Sequence, residues 1–152
     1  MRDNTPVDAT PKLSSFKIEV CQRIQPASRE VIAGGLREFN ARHLGDYQWT
    51  DLDVYVRDAD GRVAGGLIAD FALGWLSIHA LWVEENLRGS GLGGNILNSA
   101  EDAAKSNGCR AALLDTLSFQ SPGFYEKRGY VRVGVIEDYR GGAQRIFMQK
   151  HF

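Results

Sequence analysis

Several things are scarce in this sequence, and each scarcity removes a class of protein. There are two cysteines, Cys21 and Cys109, far apart, with no C-x-x-C spacing and no histidine cluster beside them. A disulfide framework and a zinc module are therefore not expected; both thiols should be free and buried, and no metal is called for. Neither sign of charge dominates: 18 Lys and Arg face 19 Asp and Glu, a net charge of −1, with the basic residues scattered among acids. A nucleic-acid binder would carry a basic stripe, so nucleic acid is not an expected partner. No apolar run approaches the roughly 20 residues of a membrane helix, and Met-Arg-Asp-Asn-Thr-Pro at the start lacks the apolar stretch of a secretory signal. A cytoplasmic protein without membrane contact is the expectation. Of only four prolines, Pro6 and Pro11 fall in the polar residues 1–15, which read as a flexible leader. Residues 16–152 then make one domain by length.

Glycine, with 17 residues, is abundant, and its placement punctuates a regular alternation of periods. Residues 16–21 alternate apolar and polar, as a half-buried strand does. Residues 26–43 repeat apolar positions at helical spacing, with Gly34-Gly35 weakening the middle. Residues 52–57 and 62–71 form two strands around an Asp58-Ala59-Asp60-Gly61 turn, and Trp75–Val83 a further strand. A helix over residues 92–105 ends at Asn107-Gly108. Residues 110–117 are so apolar at their centre that both faces should be buried. A short helix starts at Ser121-Pro122, with Ser121 as cap, and strands over 130–136 and 145–150 close the order around a Gly141-Gly142 turn. The expected fold is an α/β domain with a mixed sheet.

The most telling segment is Arg88-Gly89-Ser90-Gly91-Leu92-Gly93-Gly94, which lies between a strand and a helix. Glycines let the backbone approach a phosphate, and the helix start supplies N–H donors and a positive dipole end. Gly89, Gly91 and Gly94 spell G-x-G-x-x-G, and Asp115 follows at about the distance that a dinucleotide fingerprint asks. Against that reading, five polar, loop-like residues (Glu84 to Arg88) separate strand from loop. The segments after Asp115 also do not repeat the strand–helix units of a doubly wound sheet.

Taken with its arginine, the loop is R-x-x-G-x-G, and in this form it resembles the acyl-CoA loop of the GNAT family of N-acetyltransferases. Leu81-Trp82-Val83 resembles the end of that family's fourth strand, and Phe124-Tyr125-Glu126-Lys127-Arg128-Gly129-Tyr130 resembles its F-Y-x-x-x-G-[FY] signature. The resemblance covers residues 53–152 and fades toward the N-terminus. It implies a GNAT-like α/β fold, with a mixed sheet of six to seven strands and about four helices. It implies acetyl-CoA as co-substrate and a primary amine, on a small molecule or peptide, as acceptor in a ternary complex. It implies that the diphosphate sits on Arg88, Gly89, Ser90, Gly91, Leu92, Gly93, Gly94 and Asn95, and the pantetheine arm along Leu81, Trp82 and Val83. Tyr125 is then the general acid for the departing thiolate. Arg88 is open between a phosphate-side role and a salt bridge to Glu84 or Glu85, and Asp115 reads as a solvated strand end or cap.

The base stays open among Glu84 and Glu85, just past the strand, and His79, which by alternation would share a face with Leu81. Each has a plainer use as a solvated or hydrogen-bonded structural residue. Family members pair through sheet edges or last strands, so a homodimer is compatible with the resemblance. A non-catalytic acyl-CoA-binding module and a dinucleotide oxidoreductase are the competing functions.

Overall fold

A computed structural model describes residues 16–152; the leader expected over residues 1–15 lies outside the described residues. The chain divides into two compact units, one ending at Gly45 and the other spanning Asp46–Phe152.

In the first unit, α1 (Pro26–Leu44) starts with proline in its first turn, where the missing N–H costs nothing, and stops at Gly45 with φ 74°. Gly34-Gly35 does not break it. The strand expected over residues 16–21 is not formed. Alternation sorts side chains to two faces, but a strand also needs a neighbour to bond, and no described strand pairs with this segment. Cys21 is accordingly exposed rather than buried, whereas Cys109 is a buried free thiol as expected.

The second unit holds six strands: β1 (Thr50–Arg57), β2 (Val63–Ala72), β3 (Trp75–Val83), β4 (Ala111–Leu117), β5 (Val131–Tyr139) and β6 (Ala143–His151). They pair in the order β1-β2-β3-β4-β6-β5. The pair β3–β4 is parallel and the others are antiparallel. The connection across the parallel pair is α2 (Leu92–Ser106), the crossover that parallel neighbours require. With α3 (Pro122–Glu126) the described residues contain three α-helices, fewer than the four expected. Ser121 precedes α3 at φ 76° and makes no side-chain cap, so Pro122 alone marks that start. No helix of the described residues is long and apolar enough to cross a membrane.

The core lies where α2 covers the sheet. Ile96, Leu97, Ala100 and Ala104 of α2 are buried with Leu67, Leu76, Ile78, Leu114, Ile146 and Met148 of the strands. Each fully buried leucine or isoleucine contributes about 1.5–3 kcal/mol. Among these apolar groups lies Glu101, 2% exposed. It accepts from the Tyr130 hydroxyl at 3.0 Å and from Lys150 Nζ at 2.6 Å, joining α2 to β6 and to the start of β5. Past Ala111, which is buried, β4 covers one face: Leu113 and Asp115 are exposed between buried Ala112, Leu114 and Thr116. Its apolar run therefore overstated burial, because Leu113 lies on the face away from α2.

Two features of β3 position the site. Its register against β2 passes from Ala69–Ile78 to Ile68–Ala80, leaving His79 as the extra residue of a β-bulge. Burial changes phase there, from Leu76 and Ile78 to Val83. Ladder pairing with β4 also stops at Ile78–Leu114, although β3 continues to Val83 and β4 to Leu117. Beyond the bulge the two parallel strands part.

Candidate active site

The parting strands open a cleft of about 1110 Å³. Its walls are residues 78–83 of β3, the glycine loop, the end of β4 and α3. The side of β3 that faced β4 has no ladder partner beyond Ile78. Leu81, Trp82 and Val83 thus present a strand edge to the cleft, the arrangement that an extended chain with amide groups can join.

At one end of the cleft the loop folds as its glycines allow. A single 3₁₀ turn, Glu85–Leu87, leads to Arg88, and then Gly89 and Gly91 take φ of 76° and 90°. Those values carry a steric penalty for any residue with a Cβ. Ser90 Oγ donates to the Leu87 carbonyl at 2.6 Å and accepts the Leu92 N–H at 3.4 Å, pinning the turn. Gly91, which precedes α2, has no side chain to cap the helix, and the positive end of the helix dipole lies at the loop. Arg88, Gly89, Gly91, Gly93 and Gly94 line the cleft, while Ser90, Leu92 and Asn95 do not. Arg88 makes neither expected carboxylate contact. Its Nε donates to the Val83 carbonyl at 3.1 Å, tying loop to strand, and Glu84 pairs with Arg62 at 2.7 Å instead.

Sequence reasoning missed Arg128. Its guanidinium lies over the Phe124 ring at 3.9 Å, donates from Nη1 to the Phe124 carbonyl at 2.9 Å, and rests where a Cβ on Gly94 would stand. Gly94 is therefore more than the coincidental end of a fingerprint: it admits a cation beside the helix start. Arg128 and Lys127 both line the cleft. The signal was present, since Arg128 follows Phe124 by one helical turn, but a motif written F-Y-x-x-x-G treats that position as free.

Further along the cleft stands Tyr125, 9% exposed, edge-on to Phe124 with centroids 5.0 Å apart and to Tyr130 at 5.7 Å. His79 lines the same cleft, whereas Glu84 and Glu85 do not. The bulge turns His79 away from the Leu81 face that unbroken alternation gave it, and Nε2 meets Asp70 Oδ2 on β2. Asp115 is exposed, as a solvated strand end would be, and in addition binds Arg145 of β6 through two contacts of 2.6 and 2.8 Å.

A family model described as the acetyltransferase (GNAT) family matches residues 23–130. The chain belongs to the GNAT family. Acetyltransferase Atu2258 of Agrobacterium fabrum is 30% identical over 125 residues, covering 82% of this chain and 91% of that protein. Blasticidin-S acetyltransferase of Streptomyces morookaense is 39% identical over 95 residues, 60% of this chain and 70% of that one. The crystal structure of an acetyltransferase from Bacillus cereus superposes with a TM-score of 0.80 at 33% identity, covering 92% of this chain and 100% of that one.

The protein is thus an acetyl-CoA-dependent acetyltransferase of the expected fold class. One group lining the GNAT cleft, Tyr125, and one paired with its Asp115, Arg145, have shifted acidities. Burial raises the Tyr125 phenol above its ordinary value, because the phenolate would lose solvation among aromatic rings. The Asp115 carboxylate, with the Tyr139 hydroxyl, holds the Arg145 guanidinium still more firmly charged. The cleft therefore combines a protonated hydroxyl, an imidazole and an open helix start flanked by cations.

Proposed function

We propose that the enzyme transfers the acetyl group of acetyl-CoA directly to a primary amine of a small molecule or peptide, within a ternary complex. The observation that carries this reading is the parting of β3 from β4 at Ile78–Leu114, which opens a strand edge toward a glycine-bounded helix start. The diphosphate would accept from N–H groups between Gly89 and Asn95, with Arg88, Lys127 and Arg128 adding positive charge. The pantetheine amides would bond the backbone of Leu81, Trp82 and Val83, which carries the thioester toward His79. Tyr125 would protonate the departing thiolate. Neither cysteine lines the cleft, which favours direct attack by the amine over a thiol relay. Of the three candidate bases His79 is favoured, since Glu84 is engaged by Arg62 and neither glutamate reaches the cleft lining.

The test is CoA release from acetyl-CoA with a panel of amines: polyamines, amino-acid amides, a short peptide with a free N-terminus, and blasticidin S, chosen for the Streptomyces relative's name. Release with at least one amine is expected. A thermal shift with CoA and none with NAD should accompany it, equivalent to about 2.7 kcal/mol at one hundred times the dissociation constant. Stabilisation by NAD alone would sink the donor assignment. Release that depends on a hydroxyl compound and not on any amine would sink the acceptor.

A further inference from the structure

Asp70 is the least comfortable polar group in the second unit. It lies on β2, on the face away from α2, and its side chain is only 13% exposed. Its Oδ1 is buried with no hydrogen-bond partner among the described residues, and Oδ2 meets His79 Nε2. Asp51 of β1 stands directly across from it, so two carboxylates share one cross-strand position. A half-satisfied buried carboxylate beside a like charge weakens a sheet. Such a group has a use where its charge acts on a neighbour, and the neighbour here is an imidazole in the cleft.

We infer that Asp70 is a positioning residue for His79: it holds Nε2 so that Nδ1 faces the cleft and takes the proton of the attacking amine. The inference rests on acetyl transfer to an amine. Three observations meet at His79. It is the extra residue of the β3 bulge, so its ring is re-aimed out of the regular pleat. The bulge adjoins Ile78, the last β3 residue paired with β4, so the ring stands at the apex of the cleft. Its side chain is 53% exposed on the cleft side while its partner is nearly covered. A carboxylate accepting from Nε2 fixes the proton there and leaves the Nδ1 lone pair as the acceptor.

The step balances. The neutral amine nitrogen bonds to the thioester carbon, and the nitrogen passes one proton to His79 Nδ1. The C–S bond then breaks, and the sulfur takes a proton from the Tyr125 hydroxyl. Solvent afterwards removes the proton from His79 and restores one to Tyr125, giving amide and free thiol. The charged groups around the pair are Asp51 and Asp53 on β1, the latter held by the Tyr55 hydroxyl, and the Asp115–Arg145 pair on β4 and β6. Arg145 pairs with Asp115, and the other carboxylates named lie on β1 and β2.

The experiment compares wild type with Asp70→Asn, His79→Gln and the double variant, using the best amine of the panel across pH. Asp70→Asn supplies an amide N–H to Nε2 and moves the ring proton to Nδ1. It should lower kcat by roughly 10²-fold or more, with KM for acetyl-CoA within about twofold. His79→Gln should abolish the acid limb of the rate profile, and the double variant should be no worse than His79→Gln alone. Losses that multiply, or an Asp70→Asn enzyme at the wild-type rate, would overturn the pair. If no amine is turned over by wild type, the amine reading fails, and the pair is still decided by ¹⁵N shifts of the His79 ring. A wild-type ring protonated on Nδ1, or one unaltered by Asp70→Asn, overturns it. Retained thermal stabilisation by CoA checks folding, and His79→Gln, at an exposed side chain, carries the test should Asp70→Asn fail to fold.

Discussion

Tyr125 sits where a phenol stays protonated. Its ring is enclosed by Phe124 and Tyr130, and burial raises its pKa, so at neutral pH it is a hydroxyl donor lining the cleft. Tyr125→Phe keeps the ring packing and removes the proton. We expect kcat to fall roughly 10²-fold while CoA affinity stays within about twofold, read by CoA-release kinetics and calorimetry. An unchanged kcat would remove Tyr125 as the acid. Single positions were legible in the sequence where a motif named them: the loop glycines at positive φ, and Tyr125 as a residue lining the cleft. They were illegible where the role depends on a partner from another strand. His79 was given the wrong face because alternation assumes an unbroken pleat, and no residue type announces a bulge. Asp115 could not be matched with Arg145, since β6 inserts itself between β4 and β5.

At the scale of elements, α2 joins stability to the site, because the helix that fills the core also starts at the glycine loop that lines the cleft. Glu101 anchors it by holding Lys150 and Tyr130 in an environment that admits almost no water. Removing one partner of such a pair leaves the other charge uncompensated. Glu101→Ala should therefore destabilise the protein by about 3 kcal/mol, the low end for buried pairs because Lys150 keeps some exposure, measured by urea denaturation. A loss below about 1 kcal/mol would make the contact no stronger than a surface pair. Periodicity found α1, α2 and all six observed strands within a few residues, since each carries a 3.6- or 2-residue apolar repeat against the core or a glycine-marked end. It erred at residues 16–21 and at the outer face of β4. Both errors have one cause: a pattern reports what a segment offers for burial, and a neighbouring element decides whether the offer is taken.

Across the whole chain, charge is nearly balanced and most ion pairs are exposed, so they give stability little dependence on pH. The buried phenols should dominate the alkaline side. Tyr130 is raised furthest, by burial first and then by the Glu101 carboxylate, and Tyr125 is raised by burial. A group whose pKa is higher in the folded state contributes fully below its unfolded value, about 10 for tyrosine. Above that pH the unfolded chain releases protons that the folded chain retains, and stability falls. Unfolding free energy should thus be flat up to about pH 9 and decline beyond about pH 10. Tyr130→Phe separates this effect from general alkaline weakening. At pH 8 it should cost about 1 kcal/mol, for the lost hydrogen bond to Glu101. Between pH 10 and 11 it should lose stability less steeply than wild type, because of the two buried phenols Tyr125 alone then resists ionisation. Urea midpoints at pH 8, 10 and 11 measure both quantities, and equal slopes for the two proteins would show that the Tyr130 phenol is not the group that sets the alkaline limit.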